Sequence, residues 1–170
     1  MYRQLNGFTL IELLVTLTIA AILLAIASPS LSNFYARYRA ESNIKLIQQT
    51  LMLARNHAIT LGKKVTVCAL VNNECDANWQ SGLTAFIDIN GNYQLDSNEH
   101  TIFVTNAFSQ QDVVICNRIA FRFRPDGLAS GTNGTLKYCP SDIHSPYSKS
   151  VIVNQAGRAR VSTAKGISCE

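Results

Sequence analysis

Apolar residues dominate the first thirty positions of the chain and become periodic after them. The stretch FTLIELLVTLTIAAILLAIA, from Phe8 to Ala27, carries one charge, Glu12, and is followed by Ser28 and Pro29. As a helix, residues 8–28 span about 31 Å, enough for a hydrocarbon core of about 30 Å. Pro29 lacks a backbone donor and is expected to bend the helix without ending it. Further on, Ala40, Ile44, Ile47, Leu51, Ala54, Ala58 and Leu61 recur in alternating steps of four and three. They form one apolar face, with Arg39, Lys45, Gln48 and Arg55 elsewhere on the circumference. Gly62 is a natural stop. The period then changes to short β-type runs at 64–71, 83–89, 101–105, 112–116, 119–124, 136–139, 149–154 and 158–162, separated by turn residues. The expectation is an α+β chain: a membrane-length helix (8–28), an amphipathic continuation (29–62), and a β-rich antiparallel head (63–170) packed on that continuation.

Composition adds little until it is localised. The chain has 170 residues, 47% hydrophobic, with a net charge of +4. Residues 1–100 balance, whereas residues 101–170 hold eight bases against four acids. The excess therefore sits in the last part of the chain, which permits an anionic partner without demanding one. Cysteines stand at 68, 75, 116, 139 and 169, with no C-x-x-C pair, and the histidines at 57, 100 and 144 are scattered. That disfavours a metal site and favours disulfides in an oxidising compartment. Cys68 with Cys75 would close a short loop, and Cys139 with Cys169 would tie down the tail, contributing at most about 2.5 and about 3.7 kcal/mol by loop entropy. Other pairings remain open. Cys116, in the apolar run VVIC, is expected to be a buried free thiol. No side-chain constellation suggests an enzyme, and no cofactor is called for.

Glu12 is the anomaly of the N-terminal helix. A carboxylate at the centre of a bilayer costs on the order of 2.5–3.5 kcal/mol, so an acid within such a segment implies a function. A secretory signal peptide is one reading, since Ala25-Ile26-Ala27 mimics a cleavage site, but the apolar run is longer than the usual 7–15 residues. A plain anchor leaves Glu12 unexplained. The order G-F-T-L-I-E at 7–12 resembles the prepilin signature of type IV pilins and type II secretion pseudopilins. The resemblance implies a leader, residues 1–7, removed after Gly7 by prepilin peptidase, and methylation of Phe8. It implies that Glu12 pairs with the terminal amine of a neighbouring pilin as subunits leave the inner membrane. It also implies a pilin-like fold, with the head in the periplasm and then on a cell-surface pilus.

Three stretches are candidates for chemistry. In DINGNYQLDSNE, Asp88, Asn90, Asn92, Asp96 and Glu99 fall at calcium-loop positions, but Tyr93 stands where the sharp turn wants glycine. The competing reading is a β-hairpin with an Asn-Gly-Asn tip. Arg118, Arg122 and Arg124 alternate with apolar residues and read as a solvated strand face. In the tail, SKSVIVNQAGRARVS reads as two strands joined at Gln155-Ala156-Gly157. Period two turns Ala159 and Val161 to the core and Arg158 and Arg160 outward, about 6–7 Å apart, a spacing suited to successive phosphates of a nucleic acid. Lys165, Lys149 and Lys137 would widen this patch, and Gly157 and Gly166 would keep its backbone accessible. Alternatively, the two arginines only solubilise a strand.

ARNHAITLGKKVTVC, the W-x-x-G at 79–82, FIDINGNYQLDSNE and GRAR together resemble the pseudopilin H / FimT family. That resemblance implies a minor pilin of the FimT kind, which binds DNA through Gly157, Arg158 and Arg160 and supports uptake in natural transformation. Similar tails occur in relatives that prime pilus assembly, so a structural pilin and a type II secretion pseudopilin stand beside it.

Overall fold

The computed structural model describes residues 9–129 and 131–170; the leader, with Gly7 and Phe8, lies outside the described residues. Among the described residues one α-helix, α1 (Leu10–Leu61), precedes nine strands: β1 (Val65–Val71), β2 (Glu74–Asp76), β3 (Thr84–Ile87), β4 (Thr101–Val104), β5 (Val113–Cys116), β6 (Ala120–Phe123), β7 (Gly134–Cys139), β8 (Lys149–Val153) and β9 (Ala159–Val161). The chain divides into two compact units, residues 1–36 and 37–170.

In the first unit α1 begins behind Thr9, whose Oγ1 accepts the Glu12 backbone N–H at 3.2 Å, the bond of an N-terminal cap. Glu12 is thus the acid of the first turn. Leu13, Leu14, Leu17, Ile22 and Leu24 are all exposed. The helix contains a window apolar enough to cross a membrane, with mean hydropathy 2.6 and none of it buried.

The second unit holds the core. Ala40, Ile44, Ile47, Leu51, Ala54 and Ala58 are buried as one stripe. Leu61, the last residue of the helix, is 45% exposed, because the chain turns away at Gly62, whose φ of +63° suits glycine. Two antiparallel sheets meet this stripe. In one, the first half of β1 lies between β3 and β6, its end pairs with β2, and β4 extends β3. The other runs β5-β7-β8-β9. Val65, Phe86, Phe121 and Phe123 from the first sheet and Leu136, Tyr138 and Val151 from the second join the helix stripe in a single cluster. At about 1.5–3 kcal/mol per large side chain, this burial is the main stabilising term of the head. Every member of the cluster lies between Ala40 and Val161, within the second unit.

Two features fasten the helix and the loops. Asp112, fully buried, accepts from Arg39 Nε at 3.1 Å and Nη2 at 2.9 Å, from the Ser141 N–H at 3.0 Å, and from the Tyr138 hydroxyl. Removing one partner of such a buried pair leaves an uncompensated charge, so the cluster fixes the helix against the second sheet. Cys68 is bonded to Cys75 and Cys139 to Cys169, with Cα separations of 5.5 and 6.2 Å. Cys116 is the unpaired cysteine and is only partly buried.

Burial raises the Cys116 thiol from its ordinary 9.0 to about 11. Burial, and then donation to Asp112, raise the Tyr138 phenol above its ordinary 10.0. Both groups hold their proton more tightly folded than unfolded. The stability they contribute is complete below about pH 9 and is lost as pH rises through the folded values. Urea unfolding midpoints of the head should stay level from neutral pH to about 9 and fall above it, and Cys116→Ser should delay the onset of that fall.

Candidate nucleic-acid interface

The tail hairpin is built around a turn at Asn154–Gly157. Gly157 N–H donates to Asn154 O at 2.9 Å, Asn154 N–H to Arg158 O at 3.2 Å, and Asn154 Oδ1 accepts the Arg158 N–H at 2.9 Å. β9 pairs with β8 in the register Val151–Val161, Ile152–Arg160, Val153–Ala159. Ala159 is buried while Arg158 and Arg160 are exposed, and Gln48 from the helix donates to the Ala159 carbonyl at 3.2 Å.

Gly157 has a different role from the one expected of it. It is buried rather than accessible, with φ +71°. A Cβ at this position would lie 2.0 Å from Gly127 O and 2.9 Å from Arg55 Nε. The glycine thus lets the hairpin turn lie directly on the Pro125–Leu128 turn. Arg55 Nε donates to Gly127 O at 2.9 Å and the Ala129 N–H to Gln155 O at 3.0 Å, which clamps the two turns together. Gly166, with φ +67°, has open space around it.

The supporting lysines also part company. Lys149 stands opposite the buried Tyr138 and shares its sheet face with Val151 and Val153, so it points toward the helix and pairs with Glu41 at 3.3 Å. It does not widen the patch. Lys137 is on the same outward face as Arg160, but its Nζ donates to Ser168 O at 2.7 Å and holds the tail. Lys165 is exposed. Arg118 and Arg124 are exposed, as a solvated face requires, whereas Arg122 is partly buried. Arg118 Nε donates to Asn133 O, Arg124 pairs with Asp126 at 2.9 Å, and Arg122 lies 3.7 Å above the Tyr93 ring while donating to Gly91 O and Asp88. Of the eight bases in residues 101–170, the three with no side-chain partner among the described residues are Arg158, Arg160 and Lys165.

The 88–99 segment joins β3 to β4 as a long loop, not a tight Asn-Gly-Asn hairpin tip. Asp88 accepts from Thr66 Oγ1, the Gly91 N–H and Arg122, Asp96 accepts from Asn90 and Asn92, and Glu99 accepts from the Ile89 and Asp96 N–H groups. Most of the oxygens that a calcium register would direct at an ion accept bonds from donors of the protein, one of them a guanidinium.

The family model for the type II transport protein GspH matches residues 43–157, more than half of the chain. The chain belongs to the GspH family. A second model, the prokaryotic N-terminal methylation motif, matches residues 3–28. The fold of this GspH-family chain is similar to that of the type IV minor pilin FimU of Pseudomonas aeruginosa PAO1, at 18% identity and TM-score 0.60 over 81% of this chain and 99% of that one. It is also similar to the minor pseudopilin EpsH of the Vibrio cholerae type 2 secretion system, at 15% identity and TM-score 0.53 over 73% and 96%. These likenesses establish a pilin-like fold. No curated protein matches the sequence significantly. The family match ends at Gly157, so Arg158 and Arg160 fall beyond it.

Gly157→Ala is expected to lower stability by about 1–3 kcal/mol, since a Cβ overlaps a backbone oxygen and alanine resists positive φ. Thermal unfolding and amide exchange at Arg158 and Ala159 check this, and the exchange should rise at the hairpin before it rises at β1.

Proposed function

We propose that this GspH-family protein is a minor type IV pilin whose head binds extracellular double-stranded DNA through the 157–160 hairpin and so supports uptake in natural transformation. One observation carries the reading. The bases of residues 101–170 that have no side-chain partner among the described residues are gathered in the tail, as Arg158, Arg160 and Lys165. Guanidiniums free of carboxylates are suited to phosphate, with which they form paired hydrogen bonds. Contacts of this kind are independent of base sequence. The tail is also pre-ordered. The Cys139–Cys169 bond, the Cys169 N–H to Ile143 O bond and the Gly157–Gly127 contact hold it to the sheet, so binding loses little ordering entropy.

The N-terminal segment completes the reading. The methylation motif supports cleavage after Gly7 and methylation of Phe8, and Glu12 would then meet the terminal amine of a neighbouring subunit in the filament. The apolar first half of α1 would anchor the unassembled protein in the inner membrane, with the head in the periplasm.

The head, residues 37–170, should retard duplex DNA in a gel, with a log–log salt slope of about −0.9 per phosphate neutralised. Arg158→Ala with Arg160→Ala should remove most of that binding and leave the unfolding midpoint unchanged, because both side chains are exposed. Failure of the parent head to bind at low salt would instead support a priming pilin or a secretion pseudopilin without a nucleic-acid ligand. Mass spectrometry of the mature protein should find Phe8 first and carrying one methyl group; a start at Ser28 would contradict the pilin reading.

A further inference from the structure

Beside the hairpin, α1 and the β8–β9 turn enclose a notch of about 70 Å³ lined by Met52, Arg55, Asn56, Gly157, Arg158 and Ala159. Arg55 and Arg158 both line this one small space, and among the described residues no carboxylate does. Arg55 spends only its Nε on the protein, donating to Gly127 O at 2.9 Å; among the described residues its terminal nitrogens have no acceptor. That bond fixes the plane of the guanidinium while leaving its outer edge free. Gly157 brings the turn so close that a side chain there would reach Arg55 Nε at 2.9 Å, and Arg158 is the next residue. The amide side chain of Asn56, exposed and with no side-chain bond of its own among the described residues, completes the rim. Like charges brought together around an open space repel, and an anion between them converts the repulsion into two attractions. A tetrahedral oxyanion with several acceptor atoms matches two planar forks and an amide donor.

We infer that this notch seats one backbone phosphate of the bound duplex, held by Arg55 and Arg158 together with Asn56 as a further donor. The inference rests on the DNA-binding reading and extends its interface from the tail onto the helix. It also gives the glycine that precedes Arg158 a function, since only a residue without Cβ lets the turn lie against Gly127 and Arg55, which form the other side of the notch.

The test uses the full chain in neutral detergent, with binding to a fluorescent duplex followed by anisotropy at several salt concentrations. Arg55→Ala should weaken binding about 3- to 10-fold at 0.1 M salt and reduce the slope by about 0.9, one phosphate. Asn56→Asp sets a carboxylate in the notch without breaking a contact of the fold and should weaken binding at least as much; it decides the matter if Arg55→Ala unfolds. Combined with Arg158→Ala, Arg55→Ala should cost less than it does alone, because both act on the same phosphate. If Arg55→Ala and Asn56→Asp bind like the parent while Arg158→Ala is impaired, the notch is not a phosphate seat and the hairpin reading stands. If the parent itself does not bind, both readings fall. Inorganic phosphate titrated alone should compete only weakly; saturation at micromolar concentration would mark a free-anion site and overturn the DNA assignment.

Discussion

The head is organised by a single stripe on α1. Ala40, Ile44, Ile47, Leu51, Ala54 and Ala58 are covered by side chains from two sheets that share no strand. Alanine at the first and the last two of these positions lets strands approach the helix closely, and the larger residues between them fill the centre. Neither sheet could bury its apolar face against the other alone, because each presents residues that end on the helix. The helix is therefore the common floor of the domain. Arg39 on the same helix reaches Asp112, and Arg55, close to the helix's C-terminal end, reaches Gly127, so polar bonds flank the stripe near both of its ends.

The division of labour among cations follows from that floor. Lys149 is drawn to Glu41 because period two puts it on the face of β8 that looks at the helix. Arg122 is drawn to the buried Asp88 and to Tyr93, where it holds the β3–β4 loop. Lys137 is committed to the tail's own backbone. Each of these side chains has a geometric reason to be neutralised or occupied. Arg160 has none, since β9 projects it away from the buried Ala159, and Arg158, exposed just before β9, has no side-chain partner among the described residues.

Much of this was legible in the sequence because it depends on period. The stripe on α1, the limits of eight strands and the alternation at Arg158-Ala159-Arg160 are properties of spacing. β2 was not legible, because three residues, Glu74–Asp76, carry no alternation. Its signal was instead Asn72-Asn73, both with positive φ (50° and 65°), the pair a two-residue hairpin turn needs. Leu61 was over-read because the stripe's period runs one step past the sheets. Lys149 was misassigned although the period was there to use, since its partners Val151 and Val153 are core residues. The loop at 88–99 and the role of Gly157 could not be read from spacing at all. Both depend on residues far away in the chain, Thr66 and Arg122 for the one, Arg55 and Gly127 for the other.

That distance explains why a motif as short as GRAR is a weak predictor by itself. Two exposed arginines on a strand are ordinary; their meaning depends on what lies beneath them and on whether their charge is already spent. Here the glycine is fixed by contact with a second turn, and that turn is fixed by an arginine of the helix. The hairpin is consequently held at two places, by Gly127 and Arg55 at its tip and by the Cys139–Cys169 bond beyond its far strand. A flexible tail with the same residues would have to be ordered on each encounter with a ligand. A hairpin clamped at both ends presents its charges already aligned, and that rigidity is the property on which the DNA-binding proposal draws.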